Sequence, residues 1–223
     1  GTLLAVVVVK QLSGGLGQNP FSPAMAGFCL MIVAYPALMS QWPAAGQLDF
    51  STQLQLIFGG VREVDAITGA TPLDALRTAL RSAASPDSEL HGLRAAQLMD
   101  GPAFGWLGGK GGEWVALGYL VGGLWLIQRR IITWHIPVAF IVALGGTAGV
   151  FWLIDPTHYA SPLFHLASGG AMLGAFFILT DPVSGATTAR GKLLFAAGAG
   201  VLTWVIRSFG AYPDGVAFAT LLM

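Results

Sequence analysis

The chain has 223 residues, 54% of them hydrophobic and 10% charged, with a net charge of zero. A soluble domain carries about 25% charged residues, so eleven cations and eleven acids are too few to cover a soluble fold of this length, and a soluble cytosolic protein is excluded. The cations form no stripe of the kind that grips nucleic acid, and the lone Cys29 rules out an internal disulfide and a cysteine-based metal site.

The 31 glycines show no three-residue period. High glycine with low charge suits transmembrane helices, where small residues let backbones approach. The first apolar run, residues 2–9, is about half the ~20 residues of a full span. It has no basic leader or A-x-A site, so it does not read as a signal peptide. The last run, residues 216–223, also stops about halfway. Both are expected to belong to spans that continue past the two ends, so the chain reads as truncated.

Residues 23–39 form the next apolar segment. Gly14-Gly15-Leu16-Gly17-Gln18-Asn19-Pro20-Phe21-Ser22-Pro23-Ala24 precedes it. Proline suits the first helical position, and a polar residue just before it can cap the freed N–H groups. Residues 42–113 hold eight of the eleven acids and read as one extramembrane insertion, partly helical. Further apolar segments cover 114–128, 131–154, 162–180 and 193–206, with Trp114, Trp134, Trp152 and Tyr159 near their ends as an aromatic belt. Leu179-Thr180-Asp181-Pro182-Val183-Ser184-Gly185-Ala186 repeats the polar-residue-then-proline interruption. Paired interruptions of this kind suggest broken helices facing a site inside the membrane; two ordinary helix-boundary turns explain them equally well. Gly145-Gly146 and Gly169-Gly170 are expected at close helix crossings.

Orientation follows from the short connections. Lys10, Arg129, Arg130, Arg190 and Lys192 fall on one side, and only Arg207 falls among 155–161 and 207–214 on the other. The positive-inside rule makes the first side cytoplasmic and places 42–113 on the outer, periplasmic-type face.

Within that insertion lies Asp65-Ala66-Ile67-Thr68-Gly69-Ala70-Thr71-Pro72-Leu73-Asp74. Leu73, Leu76 and Leu80 recur at i, i+3 and i+7, which predicts a helix with Pro72 first and Thr71 as its N-cap. Asp74 stands three residues on, as in a capping box. A phosphate on Thr71 would meet the unpaired N–H groups and positive dipole end of that helix. An ordinary N-cap threonine accounts for the same residues.

The Thr68-Gly69-Ala70-Thr71 run with Asp65 upstream resembles the recognition sequence of bacterial flavin transferases, which attach FMN through a phosphoester to the last threonine. Together with the Gly-Leu-Gly-x-Asn-Pro-Phe and Thr-Asp-Pro-Val runs, it makes nearly the whole chain resemble the D subunits of Rnf ion-translocating electron-transport complexes. The B subunits of the sodium-pumping NADH:quinone reductase are a more distant likeness. The resemblance implies covalent FMN on Thr71, with Asp65, Thr68, Gly69 and Ala70 as the attachment motif. It also implies a second flavin, riboflavin, near a broken-helix site for which Asn19, Ser22 and Asp181 are the candidates. Ser22 stands where the family usually has a second Asn. A decoy, Asp181 followed by Ser184-Gly185-Ala186-Thr187, fits the same pattern but falls on the cytoplasmic side, so Thr71 is preferred.

The resemblance further implies an all-α membrane protein: a multi-span helical bundle with broken helices and an inverted repeat, similar to urea transporters. It would be multi-pass in the bacterial inner membrane and divided at 1–40, 41–113 and 114–223. It would relay electrons between reduced ferredoxin and NAD, coupled to Na⁺ or H⁺ movement. Expected partners are a second covalent-FMN subunit, iron–sulfur subunits, two further membrane subunits, the lipid bilayer and, during maturation, the flavin transferase. No catalytic residue and no metal site are expected. A passive solute transporter or channel on the same scaffold is the alternative, and a purely structural membrane scaffold stays open. His135 and His165 are expected to be satisfied histidines near segment ends, and Asp155 with His158 a helix-end turn.

Overall fold

The computed structural model describes residues 1–12, 20–39, 42–43, 50–59, 68–83, 85, 90, 93–101, 103–212 and 214–223. These residues are mostly helical. The chain opens with a wide, π-type helix, Leu4–Leu12. Helix α1, Pro23–Ala34, begins at the predicted proline. Its expected cap does not form: Ser22 precedes Pro23 but makes no side-chain capping bond. Proline at 36 disfavours helical geometry at the residue before it. Tyr35 accordingly leaves the helix at φ −135°, and the predicted 23–39 segment divides into α1 and the single turn α2, Pro36–Met39.

Among the described residues, two helices are long and apolar enough to cross a membrane, α7 (His135–Ile154) and α10 (Ala189–Phe209), with mean hydropathy 2.0 and 1.3. At about 1.5 Å per residue each spans roughly the 30 Å of a bilayer core. They pack against one another around Phe140, Leu144, Ala148, Ala196, Ala199 and Trp204, all buried. Their outer faces carry exposed Val142, Val150, Leu153 and Leu194. Large apolar side chains facing outward on long helices suit lipid rather than water. The architecture is that of a mostly helical membrane protein. Helix α6, Gly112–Gln128, packs on the 162–178 region, and α11, Val216–Leu222, packs on α10 and α1.

The close crossing lies elsewhere than Gly145-Gly146. A Cβ on Gly146 would meet nothing within 4 Å, and one on Gly145 would make only ordinary contact with Leu166. The tight approach is at Gly200, where a Cβ would fall 2.8 Å from the Phe140 carbonyl oxygen and 2.9 Å from Ala143 Cβ. One missing methyl therefore brings α10 against the backbone of α7.

The predicted 162–180 segment is not continuous. It runs as α8, Pro162–Ala167, breaks at Ser168–Gly170, and resumes as α9, Ala171–Leu173, continuing through the wide turns of Gly174–Ile178. Gly169 sits at φ +62°, a left-handed conformation that glycine adopts at no steric cost. The Gly169-Gly170 pair thus marks a helix break, not the expected crossing. Conversely, no helix starts at Pro182. The Asp181 carboxylate accepts from Val183 N (3.3 Å) and Ser184 Oγ (2.8 Å), closing a turn, and α10 begins only after Thr188, whose hydroxyl accepts from Gly191 N.

The described residues of the 42–113 segment include the helices α3, Phe50–Gly59, α4, Pro72–Ala83, and α5, Ala95–Leu98. Two short strands, β1 (Trp42–Pro43) and β2 (Thr68–Gly69), pair antiparallel. Ala95 N donates to Thr157 O at 2.9 Å, and Arg77 Nη1 donates to Ala211 O at 3.0 Å. The insertion therefore meets both the 155–161 and the 207–214 connections, which the charge pattern puts on one side. At the opposite end Lys192 Nζ donates to Thr133 Oγ1, joining the 129–134 and 188–192 connections.

Candidate functional site

The site is built on the start of α4. β2 ends at Gly69, Ala70 follows, and Thr71 then caps the helix: Asp74 N donates to Thr71 Oγ1 at 3.2 Å. Pro72 occupies the first helical position, where its missing N–H removes nothing. Gly69 and Ala70 are exposed and Thr71 is half-buried. The hydroxyl thus accepts from a first-turn backbone N–H and follows two exposed small residues in the chain. That arrangement fits a phosphoester, whose oxygens keep the helix-start donors occupied and favour the positive dipole end. The decoy lacks it. Thr187 is exposed, and the cap of α10 belongs to its neighbour Thr188. Of the other attachment residues, Thr68 contributes backbone to β2, and Asp65 lies outside the described residues.

The predicted leucine stripe packs as read. Leu73 and Leu76 are buried with Ala160 and Phe164, and Leu80, Leu98, Met99 and Phe104 close around them. This satellite core seats α4 on the head of α8. Gly109, bridged to Phe104, lies against Pro72 so closely that a side chain there would overlap the proline ring. The next glycine, Gly108, lies against Ser168: a Cβ there would fall 2.8 Å from Ser168 Oγ. A Cβ on Gly169 would fall 2.7 Å from Leu73 Cδ1. Arg77, one turn along α4, is buried; burial and then the nearby Arg81 lower its pKa, against the opposing pull of Asp74.

Beneath this contact a buried arginine pairs with a partly exposed aspartate. The Arg207 side chain is 1% exposed and pairs with Asp214 at 3.0 Å. Arg207 Nη1 donates to His165 O, and Nη2 donates to Ser168 O at 3.1 Å. A cation thus meets the carbonyl end of α8, where the helix dipole is negative. Asp214 accepts from Gly170 N at 2.8 Å and from Val216 N at 3.4 Å, so an anion meets the amide end of the second half. A membrane-embedded charge is tolerated when paired with another charge or with backbone carbonyls, and here it is both. The usable signal was Ser-Gly-Gly inside an apolar run together with an arginine ending the next one.

The second candidate group is partly placed. Ser22 and Asp181 line one cleft of about 920 Å³, with Lys10, Ala5, Phe176 and Thr180. Asn19 lies outside the described residues. His165 is buried with Nδ1 unpartnered, and His135 stacks on Trp134 at 4.2 Å, its Nδ1 also unpartnered. Asp155 closes a turn, accepting from Thr157 N (3.0 Å), from the Thr157 hydroxyl and from His158. Those hydrogen bonds hold its carboxyl down at about 2, below the usual carboxylate range.

The whole chain, residues 1–223, matches the family described as NQR2, RnfD, RnfE. It is 51% identical over 225 residues to a protein of Alcanivorax borkumensis named as the D subunit of an ion-translocating oxidoreductase complex, covering 100% of this chain and 63% of that one. Proteins with the same name from Yersinia pseudotuberculosis and Escherichia fergusonii are 50% and 48% identical over 239 residues, with 65% of each covered. The chain thus spans 63–65% of the length of these relatives. By a match over its full length, the chain belongs to the NQR2, RnfD, RnfE family.

Proposed function

We propose that this chain is the membrane flavoprotein part of an ion-translocating oxidoreductase, carrying FMN as a phosphoester on Thr71. The observation that carries the proposal is the placement of the Thr71 hydroxyl: at the N-cap of α4, next to exposed Gly69 and Ala70. The relatives' printed name, which makes each a part of an ion-translocating oxidoreductase complex, supports the redox reading. FMN, when bound, supplies one- and two-electron transfer, and the protein supplies position and environment. Thr71 would provide the ester oxygen, Asp74 N and the first α4 amides would face the phosphate, and Asp65, Thr68, Gly69 and Ala70 would present the threonine to the transferase.

On this reading residues 41–113 form the outer-face insertion between membrane parts 1–40 and 114–223. The chain is multi-pass in the bacterial inner membrane, and its electrons run between ferredoxin and NAD through iron–sulfur subunits, a second covalent-FMN subunit and two membrane subunits. The interrupted segments at Tyr35–Pro36 and Ser168–Gly170 support an inverted repeat of the urea-transporter kind. The cleft lined by Ser22 and Asp181 supports a riboflavin site there. The same cleft favours the second reading, a passive solute transporter. The full-length protein, co-expressed with the transferase and purified, decides between them. Covalent flavin absorbance with a flavin-mass peptide containing Thr71 supports the proposal; a colourless protein supports the transporter.

A further inference from the structure

Among the described residues, the start of α4 rests on Ala160 and Phe164 and also touches segments that Arg207 holds or that pack on them. Leu73 lies on Gly169, in the helix break. Arg77 reaches Ala211, in the turn between α10 and α11. Gly109 sits on Pro72 while its neighbour Gly108 sits on Ser168. Arg207 joins these segments without a hydrogen bond to α4: it donates to His165 O and Ser168 O before the break, and pairs with Asp214, which accepts from Gly170 N beyond it. A planar guanidinium can serve two carbonyls and a carboxylate at once; an ammonium on a flexible stem holds such a fan less well.

We propose that Arg207 is a positioning residue. By bridging both halves of the broken helix to Asp214, it fixes the platform on which α4 docks. It thereby fixes where Thr71, and any group carried on it, stands over the membrane bundle. Only the identity of the group on Thr71 rests on the flavin reading; the platform stands without it.

The test uses the full-length protein in its assembled membrane complex, comparing wild type with Arg207→Lys, Arg207→Met and Leu73→Ala. Backbone amide exchange at residues 73–77 and across α7 is measured, along with the midpoint potential of the flavin and the mass of the Thr71 peptide. Arg207→Met is expected to speed exchange at 73–77 by about tenfold or more while α7 stays protected. Arg207→Lys should fall between it and wild type. The flavin potential should shift in the same order. Leu73→Ala, which removes no charge, should reproduce the faster exchange on α4 alone. Unchanged exchange at 73–77 in assembled Arg207→Met overturns the proposal. So does faster exchange across both α4 and α7 in Arg207→Met when Leu73→Ala leaves 73–77 unchanged. A wild-type Thr71 peptide without flavin removes the flavin reading and leaves the exchange comparison to decide the platform.

Discussion

Arg207 and Asp214 pair at 3.0 Å with each ion turned toward the opposite half of one broken helix. The pair links the two ends of two short dipoles. The cation meets carbonyl oxygens, and the anion meets an amide. Because the Arg207 side chain is 1% exposed and that of Asp214 35%, removing the acid strands a buried cation that retains only its carbonyl partners. Removing a partner from a fully buried pair costs about 3–5 kcal/mol. With the partial exposure of Asp214, Asp214→Ala should cost about 2 kcal/mol. Arg207→Met with Asp214→Ala should cost less than the two single changes together. Thermal midpoints of the four proteins in one detergent check this; strict additivity would count against the pair.

Thr71 caps α4, and on the flavin proposal it would also supply an ester oxygen, two functions that are separable. Thr71→Val should lose both: covalent flavin fluorescence disappears from a denaturing gel, and stability falls by about 1 kcal/mol. Thr71→Asp should lose the fluorescence and keep the stability, since aspartate caps as well as threonine. Thr187→Val should change neither. Fluorescence that survives at Thr71→Val and disappears at Thr187→Val would assign the flavin to the other motif.

Gly200 and Gly146 should respond in opposite directions to alanine. At Gly200 the added methyl would lie 2.8 Å from the Phe140 carbonyl oxygen and 3.0 Å from Leu144 N, so α7 and α10 must separate. The expected loss is about 1–3 kcal/mol. At Gly146 nothing lies within 4 Å, and Gly→Ala inside a helix gains about 0.5–1 kcal/mol. Melting of the two variants beside wild type is the check. Equal effects would mean that the crossing is not set by Gly200.

The Asp155 turn should make its neighbourhood acid-sensitive. Its carboxyl is depressed from 3.8 to about 2 by hydrogen bonds from Thr157 and His158. A depressed folded-state value means that the stabilisation is complete above about pH 4 and is lost as pH falls through 4 toward 2. Thr157 O is also the acceptor for Ala95 N, so α5 should loosen with it. Amide exchange at 95–99 between pH 5 and 2.5, corrected for intrinsic rates, should rise in wild type and lose that rise in Asp155→Asn.

The start of α4 was readable because its determinants are local. Thr71, Pro72 and Asp74 sit within one turn, and the leucine stripe has helical spacing. The break at Ser168–Gly170 was hidden inside an apolar run, since hydropathy responds to composition and the break depends on the φ of Gly169. Arg207 looked like a stray charge on a short connection because its main acceptors, His165 O and Ser168 O, are backbone atoms that no side-chain pattern reveals. The Asp181-Pro182 dipeptide misled for a local reason. The carboxylate that could have capped a helix is used by Val183 N and Ser184 Oγ instead. That the 155–161 and 207–214 connections meet α5 and α4 was legible from the alternating direction of successive spans.

The docking of α4 on the 210–215 turn also has a consequence in time. Ribosomes make chains at about 5–20 residues per second, and roughly 140 residues separate Thr71 from Asp214. The threonine is therefore synthesised on the order of ten seconds before the surface that receives its helix exists. During that interval the contact of Arg77 with Ala211 and the pair that Asp214 makes with Arg207 are still missing from the surface that receives α4.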